Sequence, residues 1–468
     1  MRGLIDWLDS RTQLRSMAHA FLDRYIPPGV NWAYTLGSAT TVTFILMLLS
    51  GMLLMIYYQP SPQVAYESVE YIQNQVFLGS FVRNLHHWAA SAMVILVLLH
   101  MLRTFYWGAY KYPREMTWLT GAFLLLLVLA FAFTGYLLPW DQTAYWTTVL
   151  FGQMSAVVPV LGEPIRELIL GGRDVGSYTL TRWYAFHVIL LPLVTIGLIV
   201  LHISLVIRQG ISNPPGREEP YATAPDPQKA YLDYYEDLKK KGQPFYHNVM
   251  EDAIVSLVVV VILVVMAIAF PAKLGDPADP VSTGFVPRPE WYFFWLFQAL
   301  WYFPGRWELV GVVGIPLLIG VLLLILPFVD HNPRRHPLAR PYTVIPASLL
   351  LVVVAWLNIQ GANAPNTAGL DPTAMTSVPK GYEKLTPAQQ AGWTVYQEQG
   401  CVSCHAIKGA GGQLGPDLAG ISGRRDEAYL RRWIRNPQSI KPGVAMPPYP
   451  NIPEDRFNSL IEFIKALE

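Results

Sequence analysis

The sequence predicts an all-α protein: a membrane bundle of seven helices, followed by a small helical domain. Three observations carry that prediction. Seven apolar runs approach the roughly 20 residues that cross a bilayer. Only 14% of the 468 residues are charged, where an ordinary soluble domain carries about 25%. After Gly361 the apolar character gives way to a Pro/Ala/Thr linker, then to polar sequence with helical periodicity.

Each element has its own signal. Residues 1–33 set Leu4, Leu8, Leu14, Met17, Phe21 and Tyr25 among arginines and aspartates. That pattern suits an amphipathic helix on the membrane surface, not a cleaved signal peptide. Spans are predicted at 34–58, 81–105, 116–138 and 183–207, then at 253–270, 309–329 and 344–359. The first four form one block, 34–212. A polar stretch, 213–248, separates them from a three-span block, 249–360. The linker covers 361–381. The last domain, 382–468, has helical periodicity at 386–399, 427–435 and 454–467.

Basic residues orient the bundle. Arg2, Arg11, Arg15 and Arg24 precede the first span. Lys111 and Arg114 follow the second, Arg208, Arg217, Lys229 and Lys239 follow the fourth, and Arg334, Arg335 and Arg340 follow the sixth. The loop from Tyr58 to Ser80 has no Lys or Arg. The N-terminus is therefore expected in the cytoplasm, and seven crossings put the last domain outside. With a net charge of +1 and no basic run, nothing points to nucleic acid.

The two cysteines, Cys401 and Cys404, lie in one run, Cys-Val-Ser-Cys-His. This is the attachment signature of a c-type haem, with His405 as an axial ligand. It also agrees with an outer location. No cysteine is left for a disulfide, a zinc site or an iron–sulfur cluster.

Of ten histidines, five fall in predicted spans: His86, His87 and His100 in the second, His187 and His202 in the fourth; His87 lies about 100° round from His86, off the face that His86 and His100 share. A single histidine there could equally serve helix packing or a proton path. The spacing argues otherwise. Fourteen residues fall about 40° short of four turns, and fifteen overshoot by about 60°. Each helix thus presents its two spaced histidines on roughly one face, about 21 to 22.5 Å apart along the axis. Both spans run from outside to inside, which pairs His86 with His187 and His100 with His202. Each pair is the axial set of a six-coordinate b haem, with no open position for oxygen. Gly37 and Gly51 in the first span, and Gly121 and Gly135 in the third, repeat the 14-residue interval. They would admit a porphyrin edge to the backbone; close helix packing through small residues is the other reading.

These histidines and glycines, with "GYLLPWDQTAYW" (135–146), "RQGIS" (208–212) and "PEWYFF" (289–294), give a specific resemblance over residues 1–360. The chain resembles cytochrome b of the quinol–cytochrome c reductase family. It is most similar to the plastoquinol–plastocyanin reductase type, with that type's two b-core chains fused. The last domain is similar to small monohaem cytochromes c.

The resemblance implies a quinol oxidoreductase subunit in a bacterial inner membrane, coupled to proton translocation. Quinol is oxidised at the outer face. One electron goes to a separate Rieske iron–sulfur protein and the other to the two b haems. Glu290 takes a quinol proton, although by itself it reads as a chance acid in an aromatic belt. Tyr136 forms a second wall of that pocket. Arg83 pairs with a haem propionate, and Arg103, Lys111 and Arg114 serve propionates or quinone; each equally suits a snorkelling interface residue. Met446 is the sixth ligand of the c haem, with Met375 as a weaker rival. The family's extra covalent haem needs a cysteine where Thr35 stands, so no thioether forms there. The c haem passes electrons to a soluble cytochrome c, a copper protein or a terminal oxidase, and the complex is a homodimer. Two other readings are a non-bifurcating electron conduit and a membrane anchor for the cytochrome c domain. The PEWY loop argues against the conduit.

Overall fold

A computed structural model describes residues 2–13, 15–16, 22–23, 25–172, 174–215, 220–241, 243–280, 288–303, 307–364, 384–408, 410–411, 415–440, 446 and 448–467. Seven helices among them are long and apolar enough to cross a membrane: Leu36–Met55, Gly79–Tyr106, Glu115–Tyr136, Ser177–Gln209, Asn248–Ala269, Val310–Val329 and Pro341–Asn363. Strand is confined to two short antiparallel pairs, Tyr25–Ile26 with Gln243–Pro244 and Ala406–Ile407 with Ala410–Gly411.

The fourth and fifth helices begin six and seven residues before the apolar runs do, at Ser177 and Tyr246. The reason is physical: polar residues lower hydropathy without breaking backbone hydrogen bonds, so an apolar run marks lipid contact rather than helix length. Shorter helices occupy the connections. Ala65–Asn74 buries Ala65, Ser68, Val69 and Ile72, and Gln142–Ala156, Gly162–Leu170 and Pro227–Lys241 follow. The N-terminal helix covers Arg2–Thr12. The rest of the expected surface helix falls partly on residues 14, 17–21 and 24, outside the described residues, as do most of the expected linker and Met375.

Two spans contain a π-helical turn, Phe186–Leu190 and Val310–Gly314. Each ends two residues before a proline, Pro192 or Pro316. Proline donates no amide hydrogen bond, and its ring crowds the carbonyl four residues back. A wider turn ahead of it relieves that conflict.

The chain divides into two compact units. The first comprises Met1–Pro139, Leu180–Leu274 and Ala299–Leu357. It packs Leu85 and Ala89 of the second span on Leu263 and Ala267 of the fifth. Leu193, Ile189 and Leu257 stay exposed, as lipid-facing side chains must.

A polar hub joins the ends of three spans in this unit. Arg340, fully buried, uses all of its donors. Nη2 donates to the Phe105 and Tyr106 carbonyls (3.0 and 3.1 Å), Nε to the Arg335 carbonyl (3.1 Å), and Nη1 to the Tyr110 hydroxyl (2.7 Å) and Asp330 (3.2 Å). Asp330 also pairs with Lys111 at 2.9 Å and accepts the Tyr110 hydroxyl. Lys111 is thus engaged here. Burial alone would raise the Asp330 carboxyl, but hydrogen bonds from Tyr110 and Lys111 hold it below the usual range.

The second unit comprises Trp140–Thr179, Gly275–Gln298 and Asn358–Glu468. Its C-terminal part is a helical domain. Pro387–Glu398, opened by a Thr386/Gln389 capping box, crosses Glu454–Lys465. A Cβ on Gly392 would come 2.6 Å from the Phe463 Cβ, so glycine permits this crossing. Trp393, Tyr396, Phe457, Leu460 and Phe463 fill the core.

Removing the shared anion of the hub would leave two buried cations without it. Asp330→Ala is expected to destabilise the protein by about 3–5 kcal/mol, read as a lowered Tm of the purified complex. Glu67→Ala, at an exposed site, should change stability by no more than about 0.5 kcal/mol. A depressed carboxyl stabilises above its unfolded pKa and loses that contribution as pH falls through the folded one. The Asp330 difference should therefore shrink in acid.

Candidate functional site

The structure faces His86 with His187 and His100 with His202. Ring centroids are 6.4 and 6.5 Å apart, with planes crossed at 71° and 72°. A metal–imidazole bond is about 2.0 Å and the ring centre lies about 1.2 Å behind its nitrogen, so two imidazoles sharing one metal stand about 6.4 Å apart. Both pairs fit that spacing. No bound group is needed to see that each gap suits one metal with two axial imidazoles.

Four glycines set the rings. A Cβ on Gly37 would lie 3.2 Å from His100 Cε1, on Gly51 3.2 Å from His86 Cε1, on Gly121 3.3 Å from His202 Cε1, and on Gly135 2.6 Å from His187 Cε1. Among the described residues, the nearest group to each glycine is thus the imidazole. The glycine leaves room for the ring to lie flat on the neighbouring helix.

Three residues that sequence reading missed fix the ring chemistry. Ser50 Oγ is 2.9 Å from His86 Nδ1, Thr120 Oγ1 2.9 Å from His202 Nδ1, and Thr134 Oγ1 3.0 Å from His187 Nδ1. Each hydroxyl donates to a carbonyl one turn back: Leu46 (2.8 Å), Met116 (3.0 Å) and Ala130 (2.8 Å). Its lone pair is therefore left for the Nδ1–H. That assigns the proton to Nδ1 and leaves Nε2 free to ligate. The signal was in the sequence, because each hydroxyl residue directly precedes its glycine.

The π turn sets the phase. A regular helix would carry His202 about 60° past His187. The wide turn at Phe186–Leu190 absorbs one residue, so fifteen residues on the fourth span turn about as far as fourteen on the second. All four rings then meet in register.

The basic residues have separate settings. Arg83 donates to the Ala272 and Lys273 carbonyls at 2.7 and 3.0 Å, and to Gln73. Arg114 Nε donates to the Gly210 carbonyl at 2.9 Å. Arg103 lies over the Tyr34 ring at 4.5 Å, and its buried Nε has no partner among the described residues. Arg103 and Arg114 line a cavity of about 470 Å³ beside His100 and His202, together with Tyr34 and Thr35. The Thr35 hydroxyl donates to the Trp32 carbonyl at 2.8 Å.

Glu290 lies in the second unit, ahead of a short turn over Trp291–Phe293. Buried Tyr292 packs edge-on against both Trp291 and Phe293. Burial, and to a lesser degree the charge of Asp141, raise the Glu290 carboxyl above the usual carboxylate range. Asp141 organises the neighbouring loop: its side chain accepts from Ala144 N at 2.9 Å and Gly275 N at 3.0 Å. Tyr136 ends the third span, in the first unit.

Cys401–Cys404 form one helical turn, with Gly400 before it at φ 69°. His405 Nδ1 is 2.8 Å from the Pro416 carbonyl. A carbonyl only accepts, so Nδ1 carries the proton and Nε2 is free. Burial lowers the His405 pKa and favours the neutral ring. Met446 is half-buried against the domain core, and its Sδ accepts the Trp433 indole N–H at 2.9 Å. The donor set of two thiols, a neutral imidazole and a thioether suits a c-type haem.

Comparisons with known proteins agree along the chain. Residues 21–210 match the family described as cytochrome b/b6/petB, 277–377 match cytochrome b(C-terminal)/b6/petD, and 387–464 match cytochrome C oxidase, cbb3-type, subunit III. Cytochrome b6 of Porphyra purpurea is 41% identical over 214 residues, which is 46% of this chain and 100% of the relative. Cytochrome b6 of Heliobacterium mobile is 42% identical over 212 residues, 45% of this chain and all of the relative. Among solved structures, a hyperthermophilic respiratory complex III aligns with a TM-score of 0.67 and 29% identity, covering 77% of this chain and 92% of that one.

Gly135 offers the tightest test of the ring packing. Gly135→Val should displace the His187 ring and cut the b-type haem content of the purified protein by about half, measured as pyridine haemochrome. Gly172→Val, where a Cβ meets nothing within 4 Å, should leave it unchanged.

Proposed function

The chain belongs to the cytochrome b/b6 family, and on that premise we propose that it is the b/c fusion subunit of a quinol oxidoreductase that bifurcates electrons. The observation that carries this reading is the pair of facing imidazole sites on the second and fourth spans. His86 with His187, and His100 with His202, each hold one b haem. Cys401 and Cys404 would attach a c haem, with His405 and Met446 as the further residues that would hold it. When bound, haem iron supplies reversible one-electron carriage, and a six-coordinate site leaves no place for oxygen.

The residues divide the work. Glu290, with its raised carboxyl, accepts a hydrogen bond from a quinol hydroxyl and takes the proton outward. The aromatic turn around Glu290 keeps it poorly solvated. One electron leaves to a separate Rieske iron–sulfur protein, and the other passes inward through the two histidine sites. That separation of charges couples oxidation to proton translocation. Arg83, Arg103 and Arg114 are the candidates for haem propionates, the last two also for a quinone in the cavity beside His100.

The orientation follows the same reading. The N-terminus faces the cytoplasm of a bacterial inner membrane, and the cytochrome c domain lies on the outer side. There the domain hands electrons to a soluble cytochrome c, a copper protein or a terminal oxidase. The complex is a homodimer.

Replacing Glu290 tests the centre of this reading. Glu290→Gln should slow quinol-driven reduction of the b haems by about 10²–10⁴-fold. In the parent protein, the base form exists only above the raised pKa, so activity should fall as pH drops through it, and the glutamine variant should lack that limb. Unchanged oxidation in Glu290→Gln removes the proton-acceptor role. At the other end of the chain, Met446→Ala should retain covalently bound haem on a denaturing gel but show a lower c-haem midpoint potential, since a thioether ligand raises it.

A further inference from the structure

In the C-terminal domain, the run from Arg424 to Arg435 holds five arginines against two acids, Asp426 and Glu427. Three of the arginines are engaged. Arg431 pairs with Glu427 at 2.9 Å and Glu454 at 3.6 Å, and Arg435 pairs with Glu454 at 2.8 Å. Arg424 donates to the Asp417 and Ala419 carbonyls at 2.9 and 2.8 Å. The two acids are taken up as well: Glu427 also meets Lys465 at 3.0 Å, and Asp426 caps the helix by accepting from Tyr429 N at 2.7 Å. Arg425 and Arg432 differ. Both are exposed, and among the described residues they have no carboxylate partner, only backbone carbonyls at 3.4 Å.

Two half-buried aromatic rings accompany them. Arg425 Cζ lies 4.9 Å from the centre of the Tyr429 ring, and Tyr429 stacks on Trp433 with centroids 5.7 Å apart and planes within 13°. The Trp433 indole N–H in turn donates to Met446 Sδ at 2.9 Å. Arg432 stands about 60° round the helix from Tyr429, on the same side. The row thus runs from an exposed cation to the thioether packed against the domain core.

Unpaired cations at a solvated surface attract negative charge and steer its approach. Arginine and half-exposed aromatic rings are also residue types that interfaces favour. A protein seated on this row stands beside Met446, which serves electron exchange and gives no advantage to a lipid headgroup. We propose that Arg425, Tyr429 and Trp433, flanked by Arg432, form the docking face for an electron-carrier protein with an acidic surface. The exchange moves one electron from the reduced c haem to the oxidised metal of the carrier, with no bond made or broken and no proton transferred. The inference rests on the c-haem reading above and adds the partner's charge and the face it meets.

The test is binding of an acidic blue-copper protein, held in its cuprous form, to the purified full-length complex, measured by biolayer interferometry at low salt. With the probe kept reduced, the signal reports docking and not electron flow. Arg425→Glu combined with Arg432→Glu should weaken binding roughly tenfold or more. Arg425→Lys combined with Arg432→Lys keeps the charge and should stay within about threefold of the parent. In about 1 M salt, where the screening length is about 3 Å, parent and glutamate variant should bind equally weakly. A basic blue-copper protein should bind the parent no better than it binds the glutamate variant. The proposal is overturned by unchanged binding in the glutamate pair, by equal loss in the lysine pair, or by salt-independent binding to the parent. Loss of copurifying phosphatidylglycerol in the glutamate pair, with carrier binding unmoved, would assign the face to lipid and overturn it too. Covalent haem on a denaturing gel separates the two readings: its absence from the parent overturns the c-haem reading itself.

Discussion

The first unit depends on one distance, the separation of about 6.4 Å between facing imidazoles. Four side chains on two helices must meet it at both ends of the bundle. A Cβ at Gly135 would force the His187 ring to shift, and one at Gly37, Gly51 or Gly121 would press on its ring at 3.2–3.3 Å. A regular fourth span would rotate His187 out of phase with His202, and the turn imposed before Pro192 removes that error. The hydroxyls then choose which nitrogen faces the gap. Backbone, packing and tautomer all converge on the same facing arrangement of imidazoles.

The energetic supports lie away from that geometry. Arg340, Asp330, Lys111 and Tyr110 tie the end of the second span to the ends of the sixth and the start of the seventh. Such a hub costs desolvation of several charges, and it persists because every Arg340 donor is used. By contrast, His100 keeps a buried Nδ1 without a partner among the described residues. An unmet buried donor costs about 1–3 kcal/mol.

Much of this was legible in particular residues. His86, His100, His187 and His202 could be assigned by interval alone, because helical periodicity converts spacing into direction. The C-x-x-C-H run carried its own chemistry. Glu290 was not legible alone; an acid beside Trp291 and Tyr292 gains meaning only with burial and with Asp141 nearby. The basic residues misled in part. Lys111, Arg114, Arg335 and Arg340 read as orienting charges on loops, yet all four are buried. Arg340 and Lys111 bind carbonyls and an aspartate across more than two hundred residues of chain. Composition cannot separate a solvated cation from one serving as a hydrogen-bond donor.

The sequence by itself determined the helical class, the seven apolar segments and the spacing of the four facing histidines. Those depend on local periodicity, which a single chain writes in order. Only the tertiary structure decided which hydroxyl meets which imidazole, where the fourth span widens, and which charges are buried. Each of those depends on contacts between residues tens to hundreds apart, or on a conflict between a proline and the turn before it. Ser50 is one polar letter in a row of hydrophobic residues, and it acquires a role only when the second span brings His86 against it.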